Sequence, residues 1–295
     1  MNKNTLILLG ILFALAVTAF FLLQQPGETS LTETGRDLLI ELDSASVNRV
    51  SIVSAASSIT LARKESQWVL EYPIQAPADQ PFVGTLFREA GNLPINSVIS
   101  SKPEKHSLFQ VDSSGTRITF SRASGDSTSI ILGKSGPRFT DVYARREGSN
   151  DVVLINAGIS YTVNRPVKEW RDHAILRLPA ESVREVGFQY GDTTFTLAWN
   201  DSSWVVGTDS VRESIAAGIV SGLSNLRADD FLDVPQSRKS KLVATISVSG
   251  IQIRWHQLPG NGRYLVQTSA SPQWYQVDQW KAQQVLKRKN DLTAG

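Results

Sequence analysis

Val47-Asn48-Arg49-Val50-Ser51-Ile52 returns 136 residues later as Val183-Arg184-Glu185-Val186-Gly187-Phe188, with its apolar alternation intact. At the same offset Ile59-Thr60-Leu61 returns as Phe195-Thr196-Leu197, and Trp68-Val69-Leu70 as Trp204-Val205-Val206. Alternation with period two marks strands that bury one face and wet the other. Three such runs in one order, each closing on a tryptophan in register, indicate an internal duplication.

Each copy then proceeds to a helix. In the first, Asp79 is placed to cap it, Pro81 sits in the first turn, and Val83, Leu86, Phe87 and Ala90 form an apolar stripe. In the second, Asp209 or Ser210 is placed to cap a stripe of Val211, Ile215, Ile219 and Leu223, stepping by four. Beyond the helices, Leu93, Val98 and Ile99 match Leu226, Phe231 and Leu232 at an offset of 133. Further strands are expected at 116–122, 127–132, 141–146 and 151–155, and in the second copy at 245–248, 251–255, 264–268 and 274–277. Polar helices over 163–176 and 279–292 are expected to close the two copies.

Upstream, Thr5 to Leu23 reads TLILLGILFALAVTAFFLL, nineteen residues without a charge. A helix of that length approaches the ~30 Å of a bilayer core. The small residues Ala14, Ala16 and Ala19 lie inside the apolar run, and Phe20-Phe21-Leu22-Leu23 continue it. That pattern favours an anchor over a cleaved signal peptide. Lys3 precedes the run, whereas Glu28, Glu33, Arg36 and Asp37 follow it, so the N-terminus is expected inside and the remainder exported. The organisation expected is a cytoplasmic tip (1–4), a transmembrane anchor (5–23), a tether (24–43), a first repeat (44–178) and a second (179–295). The fold class is α+β: mainly antiparallel sheets with one or two helices per unit, internally duplicated, plus one N-terminal transmembrane helix.

Composition removes several functions. Among 295 residues, 30 Lys+Arg face 28 Asp+Glu, a balance unlike that of nucleic-acid binders. No cysteine is present, which excludes disulfides, thiolate nucleophiles, zinc–thiolate sites and a lipoprotein anchor. The three histidines, His106, His173 and His256, are far apart in sequence and form no metal-ligand spacing. Gly133-Lys134-Ser135 resembles the end of a phosphate loop, but position 128 is Thr rather than the required glycine. A turn after a strand ending at Leu132 accounts for Gly133. No G-x-S-x-G occurs. Asp229, Asp230 and Asp233 lack calcium-loop spacing and read as a solvated turn. Trp68, Trp199, Trp204 and Trp255 fall at core positions of strands, which leaves Trp274 and Trp280 as the aromatics best placed for a groove. Lys287-Arg288-Lys289 is a basic helix end, shorter than a lipid-binding cluster.

A set of short elements carries a resemblance: Val50-x-Ile52 leading to Trp68-x-Leu70, Ala76-Pro77-Ala78-Asp79, Ile131-Leu132-Gly133, Asp141-Val142-Tyr143-Ala144-Arg145, Val152-Val153-Leu154 and Glu169-Trp170-Arg171-Asp172. In this order they resemble the uncharacterised domain-of-unknown-function family 4340 of bacterial membrane-anchored proteins. Leu108-Phe109-Gln110-Val111 departs from the Tyr-Gly-Leu-like stretch expected there. The family supplies no catalytic residues. Some members accompany auxiliary subunits of ABC-type export systems, including gliding-motility transporters, so the resemblance implies an accessory protein of the bacterial inner membrane with a periplasmic or extracellular body.

The expectation is therefore a binding or scaffold protein rather than an enzyme, with no cofactor and no metal. Its partners are the membrane, through residues 5–23, and an envelope protein such as an ABC transporter. Tyr143, Arg145, Trp170, Arg171 and Asp172, together with Trp274 and Trp280, are the candidate partner-binding residues, because Trp, Tyr and Arg dominate interface hot spots. A structural role competes for the first five: an Arg171–Asp ion pair, with Trp170 packed on the sheet, locking the helix that closes the first unit. An envelope hydrolase, or a ligand-binding module using the cleft between repeats, is the alternative function.

Overall fold

Nine strands of the first copy pair in one antiparallel sheet: β1 (Val47–Val53), β2 (Ser58–Lys64), β3 (Gln67–Tyr72), β4 (Ala76–Pro77), β5 (Ser97–Ser100), β6 (Thr116–Arg122), β7 (Ser127–Ser135), β8 (Asp141–Arg146) and β9 (Val152–Asn156). Their order across the sheet is β4-β3-β2-β1-β6-β7-β8-β9-β5. The second copy supplies β10 (Glu185–Tyr190), β11 (Thr193–Trp199), β12 (Trp204–Val206), β13 (Asp209–Ser210), β14 (Asp230–Phe231), β15 (Lys241–Val248), β16 (Ile251–Gln257), β17 (Arg263–Thr268) and β18 (Ser271–Asp278). Their order, β13-β12-β11-β10-β15-β16-β17-β18-β14, repeats the first strand for strand. These elements come from a computed structural model that describes residues 37–233, 240–260 and 262–293. The anchor expected at 5–23, the tip and most of the tether lie outside the described residues. Among those described, no helix is long and apolar enough to cross a membrane.

The duplication is realised in the pairing. Val50 faces Leu61 and Ile52 faces Ile59; 136 residues on, Val186 faces Leu197 and Phe188 faces Phe195. Upstream, the Leu39 N–H donates to the Leu93 carbonyl, and Ile175 to Leu226, both at 2.9 Å. The equivalence therefore begins at the buried pairs Leu39–Ile40 and Ile175–Leu176, ahead of positions 44 and 179. The described residues from Leu39 onward form one compact unit.

One face of each sheet is apolar and carries the helices. In the first copy Val50, Ile52, Leu61, Leu70, Ile118, Phe120, Ile130 and Val153 point to α1 (Gln80–Ala90), whose buried residues are Val83, Leu86 and Ala90. Asp79 caps α1 as expected, its carboxylate accepting from the Phe82 N–H at 3.0 Å. A short α2 (His106–Phe109) follows β5, and α3 (Gly158–Val163) packs on the same core as α1. In the second copy α4 (Glu213–Ser224), α5 (Gln279–Val285) and α6 (Lys289–Thr293) cover the equivalent face. Gly222 lets α4 and α5 meet closely, because a Cβ there would lie 2.8 Å from Val285 Cγ1.

Three expectations are corrected. The segment 163–176 is not one helix: α3 ends at Val163, Val167–Trp170 forms a 3-10 turn, and Arg171 is extended. Pro166 explains the break, since the residue before a proline is pushed out of the helical region. Residues 279–292 likewise divide into α5 and α6. Asp209 and Ser210 form β13 rather than a cap; α4 begins after Arg212, which makes no side-chain cap bond.

Tyr190 ties the C-terminus to the second sheet. Its hydroxyl donates to the Lys287 carbonyl at 2.8 Å, and the Arg288 guanidinium lies 3.9 Å from its ring centroid. Burial pushes its phenol up to about 12. A raised folded-state pKa gives stability that is complete below pH ~10 and is lost as pH rises towards 12. Tyr190→Phe is expected to cost about 1 kcal/mol at neutral pH. It should also remove as much as roughly 2 kcal/mol of the alkaline decline. Denaturant titrations at pH 8 and above pH 11 measure both effects.

Candidate functional site

Trp170, Arg171 and Asp172 sit where the two repeats join. The chain leaves the 3-10 turn and becomes extended at Arg171, φ −87° and ψ 147°, so adjacent side chains diverge. Trp170 enters the first core, fully buried, with its ring edge-on to Phe82 at 4.7 Å. Arg171 enters the second repeat and is 2% exposed. Its Nε and Nη2 donate to Gln273 Oε1 at 3.2 and 2.7 Å, and Nη1 donates to Asp233. The guanidinium carbon lies 3.8 Å from the Phe231 ring centroid. Asp172 holds Arg177 through both carboxylate oxygens, at 2.6 and 2.7 Å. The acid expected to pair with Arg171 is thus Asp233, and the pair locks the second repeat to the linker rather than a helix to the first sheet. Lys168 adds an ion pair to Asp230 at 3.4 Å, and Lys281 pairs with Asp229. The three aspartates read as a solvated turn therefore each hold a cation.

This clasp lies over Phe231 on the edge strand of the second sheet, whereas the equivalent Val98 on the edge strand of the first is exposed among the described residues. β14 ends the second sheet, and its Phe231 is 8% exposed beneath Arg171 and the edge-on His173 ring, 4.8 Å away. β5 ends the first sheet, pairing Val98 with Val153 as Phe231 pairs with Tyr275. Val98 is 58% exposed and Ile99 39%. Among the described residues neither β5 nor β14 has a strand on its outer side, so the two edges differ in side-chain cover alone. Such an edge presents backbone donors and acceptors to an added strand. In the sequence these residues are marked only by the offset of 133 that aligns Val98 with Phe231; their exposure is a tertiary fact.

Tyr143 and Arg145 lie on the opposite face of the first sheet, beneath the excursion 101–115 that contains α2. Tyr143 packs on Phe109 with ring centroids 4.6 Å apart, and Lys134 Nζ stands 5.9 Å above it. Arg145 Nε donates to the Val111 carbonyl at 2.9 Å and Nη1 to that of Ser149 at 3.0 Å. Gly133 lies in β7, which runs on to Ser135, so no turn accounts for it. A Cβ there would collide with the Phe109 carbonyl oxygen. Close approach of the excursion is the reason for that glycine. Leu108 on α2 is exposed.

Trp280 lies in the first turn of α5 and is 58% exposed at a cleft of about 990 Å³ between α4 and α5. Lys281 Nζ lies 5.4 Å from its ring centroid. A second cleft of about 520 Å³ shares Arg227 and Lys281 with the first and extends to Asp79, Phe82 and His173 of the first repeat and linker. Arg227 reaches Asp79 across it at 3.7 Å. Trp274 is half-buried, edge-on to His256 at 5.2 Å. Burial, followed by the charge of Arg254, holds the His256 imidazole below its ordinary range. The structure thus disperses the candidates: Trp170, Arg171 and Asp172 at the junction, Tyr143 and Arg145 under the excursion, Trp280 at the cleft, Trp274 on the second sheet.

A family model described as a domain of unknown function, DUF4340, matches residues 68–245, more than half of the chain. No curated protein and no solved structure matches the chain.

Proposed function

We propose that this chain, which belongs to the DUF4340 family, is a membrane-anchored, exported scaffold that binds a protein partner through the open edge of its first repeat. In this reading residues 5–23 hold the body at the bacterial inner membrane, and tethering raises the effective concentration of the partner there. The assembly served is an envelope or ABC-type transport complex. One observation carries the proposal: of two equivalent edge strands, β14 has its Phe231 buried under Arg171 while β5 leaves Val98 and Ile99 exposed among the described residues. An exposed apolar edge is a surface for a partner.

Placing a photoreactive amino acid at Val98 and irradiating native membranes is expected to yield an adduct with a transporter permease or ATPase. The V98K/I99K double variant is expected to lower recovery of that partner by at least about tenfold. Its unfolding free energy should stay within ~0.5 kcal/mol of wild type, as both sites are exposed. Full recovery of the partner by the double variant would sink the proposal. The cleft at Trp280 supports a second reading, a ligand-binding module, because an exposed aromatic lines a space large enough for a small molecule.

A further inference from the structure

The second repeat shows what its own edge accepts. Arg171 arrives on an extended segment, lays its guanidinium on Phe231 of the edge strand and donates two hydrogen bonds to Gln273. The strand pairings carry each of these positions back to the first repeat. Phe231 faces Tyr275 and Val98 faces Val153, so Phe231 corresponds to Val98 and Tyr275 to Val153. Val266 faces Tyr275 and Ala144 faces Val153, which fixes the same alignment of β18 on β9. Two residues before Tyr275 stands Gln273; two residues before Val153 stands Asp151.

The first repeat thus keeps the site in altered form. The apolar floor is Val98 in place of Phe231, and the acceptor is the carboxylate of Asp151 in place of the Gln273 amide. Both are exposed, and no ion pair to Asp151 exists among the described residues. A carboxylate suits an incoming arginine better than an amide does, since it accepts the planar fork through two charged oxygens. We propose that the open edge of the first repeat receives an arginine carried on an extended segment of a partner protein, with Asp151 as its counter-ion and Val98 as its apolar floor. This rests on the scaffold reading and names the chemistry of the partner it requires.

The probe is a fluorescent peptide copying the clasp, Val167-Lys168-Glu169-Trp170-Arg171-Asp172-His173-Ala174-Ile175-Leu176, and a version with glutamine in place of its arginine. Both are titrated by anisotropy against the full-length chain and its D151N and V98S/I99S variants. The arginine peptide is expected to bind wild type about tenfold more tightly than D151N, and the glutamine peptide to bind both equally weakly. Added salt should narrow the difference, because the contact is exposed. Equal binding of the two peptides to wild type overturns the proposal. Binding that is lost in V98S/I99S but unchanged in D151N also overturns it, while leaving the edge as a docking surface. Indifference to every substitution overturns both the arginine assignment and the scaffold reading of this edge.

Discussion

Trp170→Ala is expected to lower the unfolding free energy by about 3–5 kcal/mol, the range for removing a large aromatic from a packed core. Trp170 is 0% exposed and closes the first core against Phe82, Val163 and Val167. Its indole N–H finds no partner among the described residues. Trp170→Phe therefore deletes an unpaired donor along with some volume, and should cost only about 1–2 kcal/mol. Equilibrium denaturation of the two variants separates ring volume from the polar group. Similar losses in both would place the weight on indole shape rather than on bulk.

Arg171→Ala is expected to cost about 3 kcal/mol and to change the form of unfolding as well as its midpoint. The guanidinium is buried, so removing it strands Gln273, which is 8% exposed, without its donors. Asp233 is half-exposed and regains water, which keeps the cost at the lower end of the range for broken buried pairs. Because Arg171 fastens the linker to the second repeat, its loss should uncouple the two cores. Tryptophan fluorescence and far-UV circular dichroism are expected to give coincident transitions for wild type and separated ones for the variant.

The duplicated sheet was legible because strand alternation survives divergence. The offset of 136 that relates Val50 to Val186 is the register in which Leu61 and Leu197 pair with them. The offset of 133 beyond the helices likewise places Val98 and Phe231 at equivalent sheet edges. The helix expected over 163–176 failed at Pro166, a signal present in the chain but outweighed by its polar pattern. The candidate residues were legible as motif-like and not as a site. Arg171 meets Gln273 across 102 residues of sequence, a contact that no local pattern encodes. The open edge was less legible still, because the cover over Phe231 and the exposure of Val98 are both set by tertiary packing.

Hydrogen exchange at the two edges tests the binding account most directly. The full-length chain is compared in native membranes, with its assembly intact, and after purification to homogeneity. Amides of residues 97–100 are expected to gain protection in the assembly, while those of 230–231 exchange at the same rate in both preparations. Equal exchange at 97–100 in the two preparations would contradict the assignment of the first repeat's edge as the binding surface.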